Sequence, residues 1–276
     1  MDDENLQAAL RPLQKIKVED KIIENTLPDG FTDKYEFRSF RNAATLARSA
    51  HPVLFQELLD VLLPFEIEMR DILEGGGNKS RIAKKLEGLL HPLGWNETRI
   101  SADLLVKKSA KVLNKKNSKS KFLTSQDQSV LENFLDGHQI DFVKGRVAFD
   151  LEWNSKDQTF DRDLYAMRMF YECGIIDVGI ILTRSTNLSA MFADIGSRIS
   201  TNADKKKSFK DKYGASTTWM GKLDYRVNAG RSGGCPILAL GFREPIFTEL
   251  KQWRAKNPVV DDSIKADDLF DEESDH

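Results

Sequence analysis

Two apolar runs, 140–143 and 147–153, flank the pair Gly145-Arg146, and few folds other than a β-hairpin accommodate that pattern. A glycine in first place suits a tight two-residue connection. With the turn at 145–146, Lys144 pairs with Val147, and counting back along both strands sets Asp141 opposite Asp150. Side chains alternate along a strand, so Asp150 and Glu152 share one face while Phe149, Leu151 and Trp153 take the other. Cross-strand partners also share a face, with Cβ atoms roughly 4.5–5.5 Å apart, and Asp141 therefore joins the same acidic group. Like charges in that position destabilise a hairpin unless something neutralises them. A divalent cation with oxygen ligands does so. Asp141, Asp150 and Glu152 are thus candidate metal ligands, with a solvated acidic face as the plainer alternative. Lys144, Arg146 and Lys156 surround the acids, a mixed field that suits a phosphate, and the polar run Asn154-Ser155-Lys156 follows at once.

The rest of the chain reads as a mixed sheet with helices on its faces. Helical pieces are expected around 35–50. Apolar residues at helical spacing over 52–74 predict a long helix ended by Gly75-Gly76-Gly77, and a second helix over 82–90 stops at Pro92 and Gly94. Backbone N–H groups between these helices, with Lys79 beside them, could face a phosphate. A short helix is expected near 126–135, then the hairpin, then a helix over 160–171 ended by Gly174. The run 175–182 and the run 236–242 read as buried strands, with a helix over 188–199 between them and another reaching about Lys256. The order ββαβ…βα fits an α/β mixed sheet. His138, just ahead of Asp141, is more simply a structural hydrogen-bonding group than a catalytic one.

Charge adds a second clue. Residues 261–276 hold eight acids and a single lysine, so the net charge of −2 conceals a basic body. Lysines 107, 108, 111, 115, 116, 119 and 121 follow one another with no acid between them, and Lys205, Lys206, Lys207, Lys210 and Lys212 form a later group. Such runs are often solvated loops, but beside a candidate metal site they favour contact with a phosphate backbone. The chain divides into a mainly helical region with a basic linker (1–125), a core (126–258) and an acidic tail (259–276). No apolar run approaches the roughly 20 residues of a membrane helix. The acidic first residues do not read as a secretory signal, and two cysteines, Cys173 and Cys235, form no disulfide framework, so a cytoplasmic setting is expected.

An acid, a spacer, a second acid and a third polar residue on an adjoining strand resemble the PD-(D/E)xK nucleases; here they read Asp141, then Asp150-Leu151-Glu152. The run Asp-Phe-Val-Lys-Gly-Arg-Val-Ala-Phe-Asp-Leu-Glu-Trp further resembles BglII- and BstYI-type restriction endonucleases. The likeness continues through Ile176-Asp177-Val178-Gly179-Ile180-Ile181 and returns faintly at Met220-Gly221-Lys222-Leu223 and Gly230-Arg231. It covers residues 138–242 well and 75–95 weakly. Two departures stand out. Asp150 occupies a position where those enzymes usually carry Glu, and Glu152 one where the BglII type has Gln and the wider group Lys; a Glu there is similar to the BamHI type.

The resemblance implies a PD-(D/E)xK core with an N-terminal helical layer and a Mg²⁺-dependent type II restriction endonuclease cutting double-stranded DNA. It implies Asp141 and Asp150 as Mg²⁺ ligands, with Glu152 as base, ligand or both. Lys79, Asn154, Lys156 and Arg231 become candidates for DNA contact, and Ser216, Thr217 and Thr218 match a neighbourhood where such enzymes read bases. A short palindromic site, with GATC within it, a homodimer and a cognate DNA methyltransferase are implied as well. Two other readings remain open: a repair or junction nuclease that cuts by structure, and a DNA-binding module whose acids are structural.

Overall fold

The computed structural model describes residues 27–74, 79–113, 122–199, 209–214 and 216–259. A helical turn, α1 (Phe31–Lys34), leads into β1 (Tyr35–Phe40). Three helices follow: α2 (Ala43–Ala50), α3 (Pro52–Leu62) and α4 (Met69–Leu73). Then come α5 (Arg81–Leu90), β2 (Asn96–Leu113), β3 (Phe122–Lys144), β4 (Val147–Leu151), α6 (Thr159–Glu172) and β5 (Val178–Arg184). The described chain ends with α7 (Leu188–Arg198), α8 (Phe209–Lys212), α9 (Met220–Asn228), β6 (Ile237–Phe242) and α10 (Leu250–Lys256).

The six strands make one mixed sheet in the order β1-β6-β5-β4-β3-β2. Strands β4, β5 and β6 run parallel, and every residue in them is buried, the mark of strands covered on both faces. One face carries Phe149, Leu151, Ile180, Leu182, Leu238 and Leu240 against the N-terminal helices and α7. The other carries Ala148, Ile181, Ile237 and Ala239 against Phe160, Leu164, Met167 and Phe170 of α6 and Met220 and Leu223 of α9. Each large apolar side chain removed from water in this way contributes roughly 1.5–3 kcal/mol. At Gly179 a Cβ would collide with the buried sulfur of Met167, so this glycine lets α6 lie close on the sheet.

The hairpin forms as the sequence implies. Strands β3 and β4 pair Lys144↔Val147, Val143↔Ala148 and Phe142↔Phe149, around a turn in which Gly145 has φ +55°. The helices over 160–171 and 188–199, and the strands near 175–182 and 236–242, are present with shifted ends.

Several expectations need correction. Residues 126–135 are strand, not helix: they belong to β3 and pair with β2, for instance Leu131 with Leu104 and Val130 with Leu105. Their apolar spacing tolerates either state, and the cross-strand partner decides. The lysine segment is correspondingly strand up to Leu113, with Lys107, Lys108 and Lys111 exposed on β2 and the later lysines of that run outside the described residues. This two-stranded ribbon leaves Leu105, Val130, Leu131 and Phe134 about half exposed. Residues 35–40 are also strand; β1 pairs antiparallel with β6, and being buried on both faces it shows no clean alternation. The long helix expected over 52–74 is broken. Pro64 lacks the N–H that a helix interior needs, and Ile67 instead forms a parallel bridge with Phe247 before α4 begins. The glycine triplet 75–77, Asn78 and the acidic tail lie outside the described residues. The region expected to be mainly helical also supplies β1 and β2 to the same sheet as the core.

Candidate active site

Alternation along β4 turns Phe149 and Leu151 to one face of the sheet. Asp150 and Glu152 therefore turn with Ala148 toward α6. Asp150 sits beside Ile181 of β5 in the parallel ladder. Glu152 extends that ladder past the end of β4: its N–H donates to the Leu182 carbonyl at 2.8 Å, and its carbonyl accepts from the Thr183 hydroxyl at 2.7 Å. Both acids are buried. The Glu152 carboxylate accepts from the Thr159 hydroxyl at the start of α6, 3.1 Å away.

Asp141 occupies the rung after Phe142↔Phe149, and its charge acts on the buried Asp150 carboxyl. Asp141 is exposed where Asp150 is buried. It lines a cleft of about 390 Å³ that also takes in Asp71, Glu74, Lys79, Trp153, Asn154 and Lys212. The hairpin acids thus connect an open cleft to a buried acidic centre.

The sequence reading missed the next carboxylate. Asp163 of α6 brings an oxygen into the same centre, and ligand atoms of Asp150, Glu152 and Asp163 lie within 4.8 Å of one another. The signal was present. Phe160, Asp163, Leu164 and Met167 follow the i, i+3, i+4, i+7 spacing of a helix's buried stripe, and an acid in such a stripe is out of place unless it has a partner. Arg162 supplies the nearest positive charge, 3.0 Å from Asp163 and 3.6 Å from Glu152, from a largely exposed position.

Burial dominates the electrostatics. It holds the Asp150 carboxyl well above the usual carboxylate range, and the charges of Asp163, Asp141 and Glu152 push the same way. Burial, then the charge of Glu152, lifts Asp163 to about 8 despite the opposing effect of Arg162. Charge of one sign is concentrated here and asks for a cation. An all-oxygen donor set of this kind suits Mg²⁺ or another hard divalent ion.

The other positive groups of the hairpin are engaged elsewhere. Lys144 bonds both oxygens of Glu57, at 2.8 and 2.6 Å, and Arg146 grips Asp177, which His51 also contacts at 2.9 Å. Of the proposed DNA-contacting residues, Lys79 and Asn154 line the cleft with Asp141. Lys79 pairs with Glu87, whose hydrogen bond, joined by the charges of Asp141 and Glu97, raises its ammonium above the ordinary value.

Asn154, Lys156, Ser216, Thr217 and Thr218 form one unit, because two loops zip together. Lys156 bridges Thr217, the Thr218 N–H donates to the Ser155 carbonyl at 2.9 Å, and the Asp157 N–H donates to the Ser216 carbonyl at 3.0 Å. Within it Lys156 and Ser216 face solvent. Thr218 is fully buried, and the Thr217 hydroxyl is already bonded to the Gly214 carbonyl and to Arg184. Arg231 lies apart from the hairpin acids' contacts, paired with Asp161 in a network that includes Arg226 and Asp157.

Arg184 is the organiser that the sequence did not disclose. It is buried at the end of β5, donates to the carbonyls of Thr218 (2.9 Å) and Tyr213 (3.1 Å), and lies 5.5 Å from the ring centres of both Phe192 and Tyr213. Desolvation lowers its pKa to about 10, so it stays charged at neutral pH.

A family model described as restriction endonuclease BglII/BglIII matches residues 35–242. The match opens at the first residue of β1 and closes at the last of β6, so it spans every strand of the sheet and the acidic centre. No curated protein matches the chain.

Proposed function

The chain belongs to the BglII/BglIII restriction endonuclease family, and from that membership we propose a divalent-metal endonuclease, Mg²⁺-dependent, that cuts both strands of DNA at a short palindrome. The family makes it a type II restriction endonuclease, a DNA-binding endodeoxyribonuclease with a PD-(D/E)xK-type α/β fold. Support for the metal comes from one observation: Asp150, Glu152 and Asp163 each bring a carboxylate oxygen into one buried cluster, beside the exposed Asp141 of the adjoining strand.

Asp141, Asp150 and Glu152 would hold the cation in this reading. When bound, the cation would stabilise charge on the scissile phosphate and lower the pKa of the attacking water. Glu152 orients or deprotonates that water, and the Thr159 hydroxyl at 3.1 Å fixes its carboxylate. Asp150 carries one methylene fewer than Glu, and the hairpin register keeps it beside Asp141. Lys79 and Asn154 on the cleft wall, and Lys156 and Ser216 on the exposed side of the zipped loops, would meet phosphates or base edges in this reading. Arg231 would need to leave Asp161 to do so; Thr217 and Thr218 support the loop from within.

A palindrome is read most economically by a two-fold dimer with one active site per strand. We therefore propose a homodimer, a site containing GATC, and a methyltransferase that protects the host's own copies. The test is digestion of viral DNA of known sequence with Mg²⁺. Discrete fragments whose ends share one short palindrome support the proposal. Nicking confined to branched DNA would reveal a junction nuclease instead, and tight binding with no cleavage a DNA-binding module.

A further inference from the structure

We infer that Asp163 of α6 is a direct ligand of the divalent cation held by Asp150 and Glu152, so the metal site joins helix and hairpin. The inference rests on reading the hairpin acids as a metal site.

Asp163 sits in a stripe otherwise given to Phe160, Leu164 and Met167, all fully buried, and is itself only 2 % exposed. A carboxylate in that position costs several kcal/mol unless its oxygens find partners. One oxygen has them: Oδ1 accepts from Arg162 Nε and Nη2 at 3.1 and 3.0 Å. The other, Oδ2, is buried and has no hydrogen-bond partner among the described residues. Its side chain belongs to the cluster in which Asp150, Glu152 and Asp163 each offer an oxygen within 4.8 Å of the others. Ligands of an octahedral Mg²⁺ lie about 2.9 Å apart when adjacent and about 4.2 Å when opposite, separations that fall inside the 4.8 Å bound on the three oxygens.

Charge supports the same assignment. The groups that face the cluster are Asp141 from β3, Thr159 and Arg162 from α6, and the three acids themselves. One arginine, 70 % exposed at its side chain, is the only cation among the described residues paired with these acids. It reaches the solvent side of Glu152 and Asp163 and leaves Oδ2 unmatched.

The test uses the full-length protein without DNA. Mn²⁺ is titrated into wild type, Asp163→Asn, Asp163→Glu and Asp150→Asn, and free Mn²⁺ is followed by its electron paramagnetic resonance signal. Removing even an outer hydrogen-bond partner of a metal ligand weakens binding about 10–100-fold. Asp163→Asn is expected to lose at least that much, with an unchanged circular dichroism spectrum and a melting temperature in EDTA no lower than wild type. Asp163→Glu, which restores a carboxylate, should bind more tightly than Asp163→Asn. The inference is overturned if Asp163→Asn binds Mn²⁺ like wild type while Asp150→Asn does not, or if the Asn and Glu variants bind equally. DNA cleavage by wild type combined with Mn²⁺ binding indifferent to residue 163 removes only the role of Asp163. Tight Mn²⁺ binding that depends on residue 163, in a protein that cuts no DNA, removes the endonuclease reading and leaves Asp163 in place.

Discussion

Arg184 and Asp163 are both charged residues inside apolar surroundings, and each is there for a different reason. Arg184 spends its donors on the carbonyls of Tyr213 and Thr218 and on the Thr217 hydroxyl, and so pins the loop that presents Ser216. Arg184→Met keeps the bulk and removes the donors. Hydrogen bonds to a charged group contribute about 1.5–3 kcal/mol each, so the variant should lose at least about 3 kcal/mol in a urea unfolding midpoint with an unchanged slope. A loss under 1 kcal/mol would mean that Arg184 does not hold the loop. Arg184 was not evident from sequence, because it ends an apolar strand and only the fold shows that this end faces inward. Asp163 was overlooked although it interrupts an apolar helix stripe. Asp141, Asp150 and Glu152 were legible because strand alternation and a tight turn fix their faces without tertiary information.

The hairpin element was readable down to its register, and its turn carries that information. Gly145 adopts φ +55°, and a Cβ there would stand 3.0 Å from Leu54 Cδ1. An L-residue in this region costs roughly 1–2 kcal/mol. Gly145→Ala should lower stability by about that amount in chemical denaturation, and cleavage should fall as the Asp141–Asp150 rung loosens. A variant as stable as wild type would show that the turn does not set the register. The elements that misled, β1 and the 126–135 stretch of β3, owe their state to partners distant in sequence: β6 for the one and β2 for the other. The proline break at 64 was visible in the chain but outweighed there by a helical apolar spacing that continues on both sides of it. Those helices turn their apolar stripe into the core, with Phe55, Leu58, Leu62, Ile82 and Leu86 all buried.

At the scale of the whole molecule the acidic centre couples stability to pH and, on the proposed function, to metal. Asp150 and Asp163 have raised pKa values in the folded state, Asp163 at about 8 against an ordinary 3.8. The folded protein therefore binds protons that the unfolded chain releases, and the associated stability is complete below about pH 4 and lost as pH rises toward 8. Asp177 and Asp194 have lowered values, and their contribution is lost only as pH falls below about 4. In EDTA the melting temperature should fall from pH 5 to pH 8, the fall should be shallower in Asp163→Asn, and Mg²⁺ should recover it at pH 8. A flat profile that ignores Mg²⁺ would deny the strain. The proposed dimer is expected as a particle of about twice 31.3 kDa in light scattering; a monomer bound one-to-one to a symmetric site would contradict it.

Cleavage by Asp150→Asn tests the central claim, that the hairpin acids of this sheet are the metal-dependent catalytic centre, most directly. Charge stabilisation by a bound cation amounts to several kcal/mol, and each 1.36 kcal/mol is tenfold in rate. Wild type should therefore convert DNA to discrete fragments in Mg²⁺ and not in EDTA. Asp150→Asn should cut at least about 10²–10³-fold more slowly while binding DNA as well as wild type or better. Cutting at the wild-type rate by Asp150→Asn, or equal cutting by wild type in EDTA, would contradict the account.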